Sequence, residues 1–505
     1  MTPGYWHDGE FIPGSRRRRG PGGLSVRTMN QKIAVSVVFV AAMFMNIMDI
    51  TIVNVALPTM GRDLHVAATA VSAVSIGYLV SLAVVIPASG WLGDRLGPKR
   101  VLLAAIVIFT VASGLCGIAQ NFTELVLFRV LQGVGGGMLT PVGMAMLFRV
   151  FPPSERVRAS SILTVPVAVA PALGPVLGGV LVTSLSWRWV FFVNLPIGAA
   201  AFAFGVLFLR DQDSEVSDRF DLPGFVLSGI GFASLMYGVS EGPQGGWSSI
   251  HVLATLAVGV ILLGVLVVHQ TRKRLPLLRL RLFSDGLFRN TNIVMFLGGA
   301  GFLGVLYVVA LFFQDGLGMS ALASGLSTFP EALGVMVGAQ FASRLFYPTF
   351  GPRRTMSVGL LGVAVSIGLM ALIDSRAELW WMRALMLMLG FCMGHVFVPA
   401  QAASFARITP ADTGHASTLF NSIRQLGGAV GVAVLTTSLT IVGVTRQVGG
   451  HPVSDLHAYH VTFIVAAVLA LAGVIGSLAI NDADAEETRN RRGGDVPDAE
   501  LAAAG

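Results

Sequence analysis

Apolar runs about 20 residues long, enough to cross a hydrocarbon core, follow one another about fourteen times between residues 33 and 480. A chain built this way has to satisfy its backbone polar groups within each span, which commits it to an all-α integral membrane protein. Charged residues make up only 12% of the 505 positions and hydrophobic ones 54%. That is roughly half the charge of a soluble protein, too little to coat soluble domains of this size. The net charge of +7 does not mark a nucleic-acid binder, because it sits in alternate loops. Basic clusters occur at Arg16–Arg19, Arg95/Lys99/Arg100, Arg149/Arg156/Arg158, Arg272/Lys273/Arg274, Arg344/Arg353/Arg354 and Arg489/Arg491/Arg492. With the N-terminus inside, about 27 of the 34 Lys and Arg face the cytoplasm, as positively charged loops do. Both termini are therefore expected in the cytoplasm, with an even number of spans.

The chain echoes itself. GWLGDRLGPKR (90–100) returns as ASRLFYPTFGPRR (342–354), and RVLQGVGGGMLTP (129–141) returns more loosely as GFCMGHVFVP (390–399). The spacing gives two six-helix halves, 33–209 and 290–480, separated by a segment, 210–289, that holds two extra helices near 222–241 and 250–268. Repeats of this kind place the transport path between the halves. The polar ends, 1–32 and 481–505, are expected to be disordered cytoplasmic tails. Cys116 and Cys392 each fall in an apolar run and read as packing residues.

Ionisable residues inside spans are costly and point to function. Asp49 lies in the first span, with Asn46 one turn earlier on the same face. A carboxyl group there should face a cavity, where it can take and release a proton. Arg129 in the fourth span shares a face with Gln132 and Gly133; it is expected to sense or set the charge of Asp49. Glu331, in the tenth span with Gly334 and Gly338 on its face, is a candidate second proton or cation site. In span 13, Ser417, Asn421, Arg424, Gly428 and Gly431 form one stripe. Asn46, Met43, Gln132, Glu331 and Asn421 are candidate substrate contacts, since flexible and polar side chains suit varied ligands.

Several motifs carry a resemblance. GWLGDRLGPKR resembles the signature loop of the major facilitator superfamily. LTVPVAVAPALGPVLGGVLV (163–182) resembles the fifth-span motif of its antiporters, and MDITIVNVALP (48–58) and WRWVFFVNLPIG (187–198) narrow the likeness further. Together they resemble the drug:proton antiporter branch with fourteen spans, the EmrB/QacA-type exporters. The resemblance implies the major facilitator fold, two six-helix halves plus two central helices. It implies that Arg129 takes part in proton coupling. It also implies that the loop carrying Gly90, Asp94, Arg95, Gly97 and Arg100 latches the halves together on the cytoplasmic side. In the second copy of that loop, Tyr347 or Pro348 stands where an acid is expected. Gly174, Pro175, Gly178 and Gly179 are expected to pack one half closely on the other and so gate the path. Arg424, within NSIRQLGG, reads as gating or structural.

No GxxxxGK[ST], HExxH, paired CxxC or GxSxG motif is present, so the sequence offers no phosphate loop and no enzyme site. The expected function is proton-driven efflux of hydrophobic or cationic drug-like small molecules across the bacterial cytoplasmic membrane by alternating access. The partners are then the substrate, protons and the lipid bilayer, with no nucleic acid, no metal and no cofactor beyond the proton gradient, and the protein working as a monomer. Export of an endogenous metabolite, lipid or antibiotic product, or a non-transporting sensor role, are the alternatives.

Overall fold

The computed structural model describes residues 5–7, 10–12, 29–66, 71, 73–211, 220–274, 276–448 and 451–489. Its long helices are α1 (Gln31–Asp63), α2 (Ala73–Leu96), α3 (Pro98–Ile118), α4 (Phe122–Val150), α5 (Arg156–Ser184) and α6 (Asn194–Phe208), the last preceded by the short turn Trp189–Phe192. They continue as α7 (Leu222–Gly245), α8 (Ile250–Arg272), α9 (Gly286–Leu311), α10 (Ala321–Phe341), α11 (Tyr347–Met370), α12 (Leu379–Ser404), α13 (Thr413–Val442) and α14 (Leu456–Leu478). Two short antiparallel hairpins, Tyr5–His7 with Glu10–Ile12 and Thr445–Val448 with His451–Ser454, add minor strand pairing to the helical fold.

Short polar side chains start several of these helices by accepting an unpaired first-turn amide. Asn30, Asn121, Asp221, Asp285 and Ser320 do so. The apolar stretch Leu322–Met370 runs for 49 residues, which as one helix would be about 73 Å long. It is instead two spans. A π-helical turn at Ala342–Phe346 interrupts it, and Gly351 breaks it with φ 79°. Gly97, between α2 and α3, has φ 86° and is likewise followed by a proline at the helix start. Only glycine enters this region without strain. The sequence echo at 90–100 and 342–354 is therefore an echo of backbone geometry.

Helices α1–α6 form one half and α9–α14 the other, and they meet along a seam where α5 packs on α10 and α12, and α13 packs on α2 and α4. The extra helices pack on each other, and α7 lies across the seam against α2 and α13. Helix α8 is outermost, with Val260 and Ile261 each 62% exposed, as a lipid-facing helix should be. The carboxyl of Asp221 ties this pair down. It accepts from Gly224 N at 3.0 Å, Gln270 Nε2 at 2.9 Å and Lys273 Nζ at 2.5 Å, with His269 Nε2 at 3.2 Å. Burial opposes its charge, but these bonds outweigh burial and hold the carboxyl well below the usual carboxylate range.

The tails differ in part from expectation. Most of residues 1–32, and all of 490–505, lie outside the described residues. Asp482–Ala485 and Glu486–Arg489, by contrast, are helical. They are docked because Asp482 Oδ1 accepts from Arg353 N at 2.8 Å and Thr488 shares a 2.6 Å hydrogen bond with the buried Tyr347 hydroxyl. Tyr347, which with Pro348 stands where an acid was expected, thus anchors the segment 482–489.

Candidate functional site

A sealed polar cluster occupies the interior of the first half. Asp49 on α1 and Arg129 on α4 are 0% and 1% exposed, and Arg129 Nη1 lies 2.5 Å from Asp49 Oδ2. Gln132 Nε2, one turn along α4, donates to Asp49 Oδ1 at 2.8 Å, and Asn194 Nδ2 on α6 donates to the same oxygen at 3.1 Å. Arg129 also donates to Gln132 Oε1 at 2.8 Å and to the Val74 carbonyl at 3.2 Å. Its guanidinium stacks over the Tyr78 ring, 4.3 Å from the centroid, a favourable cation–π position. Ser113 on α3 donates to the Phe191 carbonyl and accepts from Asn194 at 3.1 Å. Asn46 accepts from the Tyr78 hydroxyl at 2.7 Å and donates to the Gly136 carbonyl at 3.0 Å.

This accounts for both charges. A buried pair is tolerable only when further hydrogen bonds satisfy its remaining atoms, and residues of α2, α4 and α6 supply them. Protonating Asp49 would remove the anion from Arg129 and one acceptor from Gln132 or Asn194, and α1, α4 and α6 would have to readjust. Asn46 and Gln132, read from the sequence as substrate contacts, direct their polar atoms into this cluster, and Met43 is fully buried. Asn194 and Ser113 were not singled out from the sequence. Asn194 lies in WRWVFFVNLPIG, where a lone amide among apolar residues was the available signal.

A second constellation closes the seam at one end of the bundle. Asp94, near the end of α2, pairs with Arg149 at the end of α4, Nη2 to Oδ1 at 2.6 Å. Its other oxygen lies 3.7 Å from His415 Nε2, in the first turn of α13, where helix N-termini favour negative charge. Around it the halves touch. Ser417 Oγ donates to the Pro141 carbonyl at 2.6 Å, the Ser89 and Thr418 hydroxyls are 3.3 Å apart, and Arg156 on α5 donates to the Phe405 and Ala406 carbonyls. A Cβ on Gly90 would lie 2.8 Å from Thr418 Oγ1. Arg95 is exposed beside the Trp91 ring, and Arg100 is exposed. Arg149 was legible only as one of the loop cations, and His415 carried no signal.

The fifth-span glycines correct an expectation. A Cβ on Gly174 would lie 2.0 Å from Thr51 Oγ1, and one on Gly178 would lie 3.1 Å from Ile52 Cγ1. Both therefore bring α5 onto α1 within the same half, not onto the other half, because only a surface without Cβ atoms admits Thr51 and Ile52. A Cβ on Gly179 would meet nothing within 4 Å. The side chain of Pro175 lies outside the described residues.

In the second half, Glu331 is 2% exposed on the face of α10 that packs against α12. Asn421 donates to Met144 Sδ across the seam at 3.5 Å, and Arg424 Nη2 reaches Asn421 Oδ1 at 3.4 Å. Among the described residues no cluster of three or more His, Cys, Asp or Glu suits a metal ion.

A family model described as Major Facilitator Superfamily matches residues 39–432, most of the chain. The chain belongs to the major facilitator superfamily. Relatives share nearly its full length. A multidrug resistance protein B homolog of Mycobacterium tuberculosis is 31% identical over 503 residues, 92% of this chain and 93% of that protein. A putative multidrug resistance protein MdtD of Salmonella paratyphi B is 32% identical over 457 residues, 89% and 95% of the two chains. Solved structures share the fold. The human organic anion transporter MFSD10 has TM-score 0.63 at 16% identity, covering 89% of this chain and 100% of that one. The proton:xylose symporter XylE has TM-score 0.61 at 14% identity, covering 88% and 95%. As a major facilitator protein the chain is a transporter and not an enzyme, and its apolar helices place it in a membrane. The two constellations then fall where such a protein needs them. One lies inside a half, and the other lies on the seam between the halves.

Proposed function

We propose that the protein is a proton-driven exporter of hydrophobic, drug-like small molecules in the bacterial cytoplasmic membrane. It works as a monomer by alternating access, with both termini in the cytoplasm. The sealed Asp49–Arg129 pair carries this reading. A charge pair sealed from solvent has little use in passive binding. It suits a proton whose arrival changes the packing of helices that also bear the seam. Helix α4 links the two constellations: Arg129 sits in its first half, and Pro141, Met144 and Arg149 meet the seam further along. Protonation of Asp49 would shift α4 against α1 and α6, and so loosen or restore the latch at Asp94. The basic loops at the latch end favour its cytoplasmic placement. A proton crossing about 100 mV supplies about 2.3 kcal/mol, and each pH unit adds about 1.4. That is of the size needed to bias two conformations strongly.

Inverted membrane vesicles given a proton gradient test this. Wild-type protein should take up ethidium, a protonophore should stop it, and Asp49→Asn at matched expression should abolish it. Undiminished gradient-driven uptake by the variant would remove Asp49 as the coupling residue.

A further inference from the structure

Arg424 stands eleven residues past Thr413 on α13, about 17 Å from that end and close to the middle of its span. Ser417 and Asn421, on the same stripe, make the last polar contacts across the seam, to Pro141 and Met144. Arg424 is the next position on the stripe, about one turn beyond Asn421.

Other arginines that hold this structure together engage several acceptors. Arg129 uses a carboxylate, an amide and a carbonyl. Arg188 donates to the Gly117 and Ala119 carbonyls, and Arg376 donates to the Leu317 and Gly318 carbonyls. Arg424 does none of this. Its one hydrogen bond is the 3.4 Å contact to Asn421 on its own helix, and its Nε is sealed without a partner. Among the described residues no carboxylate forms an ion pair with it. Glu331, a buried carboxyl in the same half, also forms no ion pair among the described residues, but a carboxyl can be neutral. A guanidinium keeps its charge. A permanent cation deep in a span calls for an anion or other acceptors, and among the described residues no carboxylate pairs with Arg424.

We propose that Arg424 is the substrate-contacting cation of the path, and that it selects molecules bearing a carboxylate, sulfonate or phosphate on an apolar body. The planar guanidinium fits such groups through paired N–H donors. The proposal rests on the exporter reading and adds an anionic or zwitterionic class to the hydrophobic or cationic molecules expected from the sequence.

The test uses the full-length protein in inverted vesicles with a proton gradient, with anilinonaphthalene sulfonate and ethidium as probes. The wild type should transport the sulfonate. Arg424→Gln should lower the ratio of sulfonate to ethidium transport about tenfold, the scale of one lost charge-assisted hydrogen bond. Arg424→Lys should restore most of that ratio. If both probes fall together and lysine does not restore the ratio, Arg424 is a gating residue and the proposal is overturned. Ethidium transport with no sulfonate transport by the wild type overturns it too, while leaving the exporter reading intact. Transport of neither probe removes the exporter reading and the proposal with it. Should the glutamine variant not reach the membrane, the wild type carries the test. The sulfonate must then compete with ethidium, and absence of competition overturns the proposal.

Discussion

Arg129 Nη1 lies 2.5 Å from Asp49 Oδ2, and neither residue reaches solvent or the seam. Removing one partner leaves the other as an uncompensated buried charge, at about 3–5 kcal/mol. Arg129→Ala should therefore lower thermal stability in detergent more than Asp49→Asn, since asparagine still accepts from Gln132 or Arg129. Combining Asp49→Asn with Arg129→Gln should recover stability without recovering gradient-driven transport. A double variant that transports would show the pair to be structural only.

Asn194 bridges Asp49 Oδ1 and Ser113 Oγ, each at 3.1 Å. Asn194→Leu should cost about 1–3 kcal/mol by orphaning these groups and should slow proton-coupled uptake. Wild-type uptake rates with reduced melting temperature would confine Asn194 to packing.

The Ser89 and Thr418 hydroxyls are 3.3 Å apart across the seam. Cysteines at both positions should cross-link under mild oxidation, hold the latch end closed and block transport until reduced. Adding Asp94→Asn, which breaks the pair with Arg149, should slow that cross-linking by shifting the population toward the open seam. Cross-linking that Asp94→Asn does not alter would remove Asp94 from the latch.

Gly174 and Gly179 separate packing from mere motif membership. Gly174→Ala pushes a methyl onto Thr51 and should cost about 1–3 kcal/mol, with Thr51→Ala restoring part of the loss. Gly179→Ala meets open space and should stay within about 0.5 kcal/mol of wild type. Melting curves for the three variants decide the matter.

Asp221 anchors the extra helices with its carboxyl held below the ordinary range. Such a group stabilises fully above its unfolded value near 4, and the contribution is lost as pH falls through the folded value. The gap in melting temperature between wild type and Asp221→Asn should therefore be constant from about pH 8 to about pH 5 and narrow below about pH 4. A gap that varies between pH 8 and pH 5 would place the titration elsewhere.

The apolar spans and the internal echo were legible in the sequence because each rests on local facts. A run of apolar residues crosses a bilayer whatever its neighbours do, and Gly97 and Gly351, each followed by proline, break their helices at matching points of the repeat. Asp49, Arg129 and Asp94 were legible too, since a charge within or beside an apolar run stands out. What those charges touch was not. Asn194 lies 145 positions from Asp49, and His415 meets Asp94 from the opposite half. Gly174 was expected against the other half and meets α1 instead, because which face of a helix is covered depends on how its neighbours tilt. The sequence alone settles what has to be buried in the membrane, since burial of apolar surface is additive and local. Only the tertiary structure decides which buried polar atoms satisfy one another, and so leaves Arg424 Nε without an acceptor among the described residues, because hydrogen bonds are short and directional and form only where packing brings distant helices together.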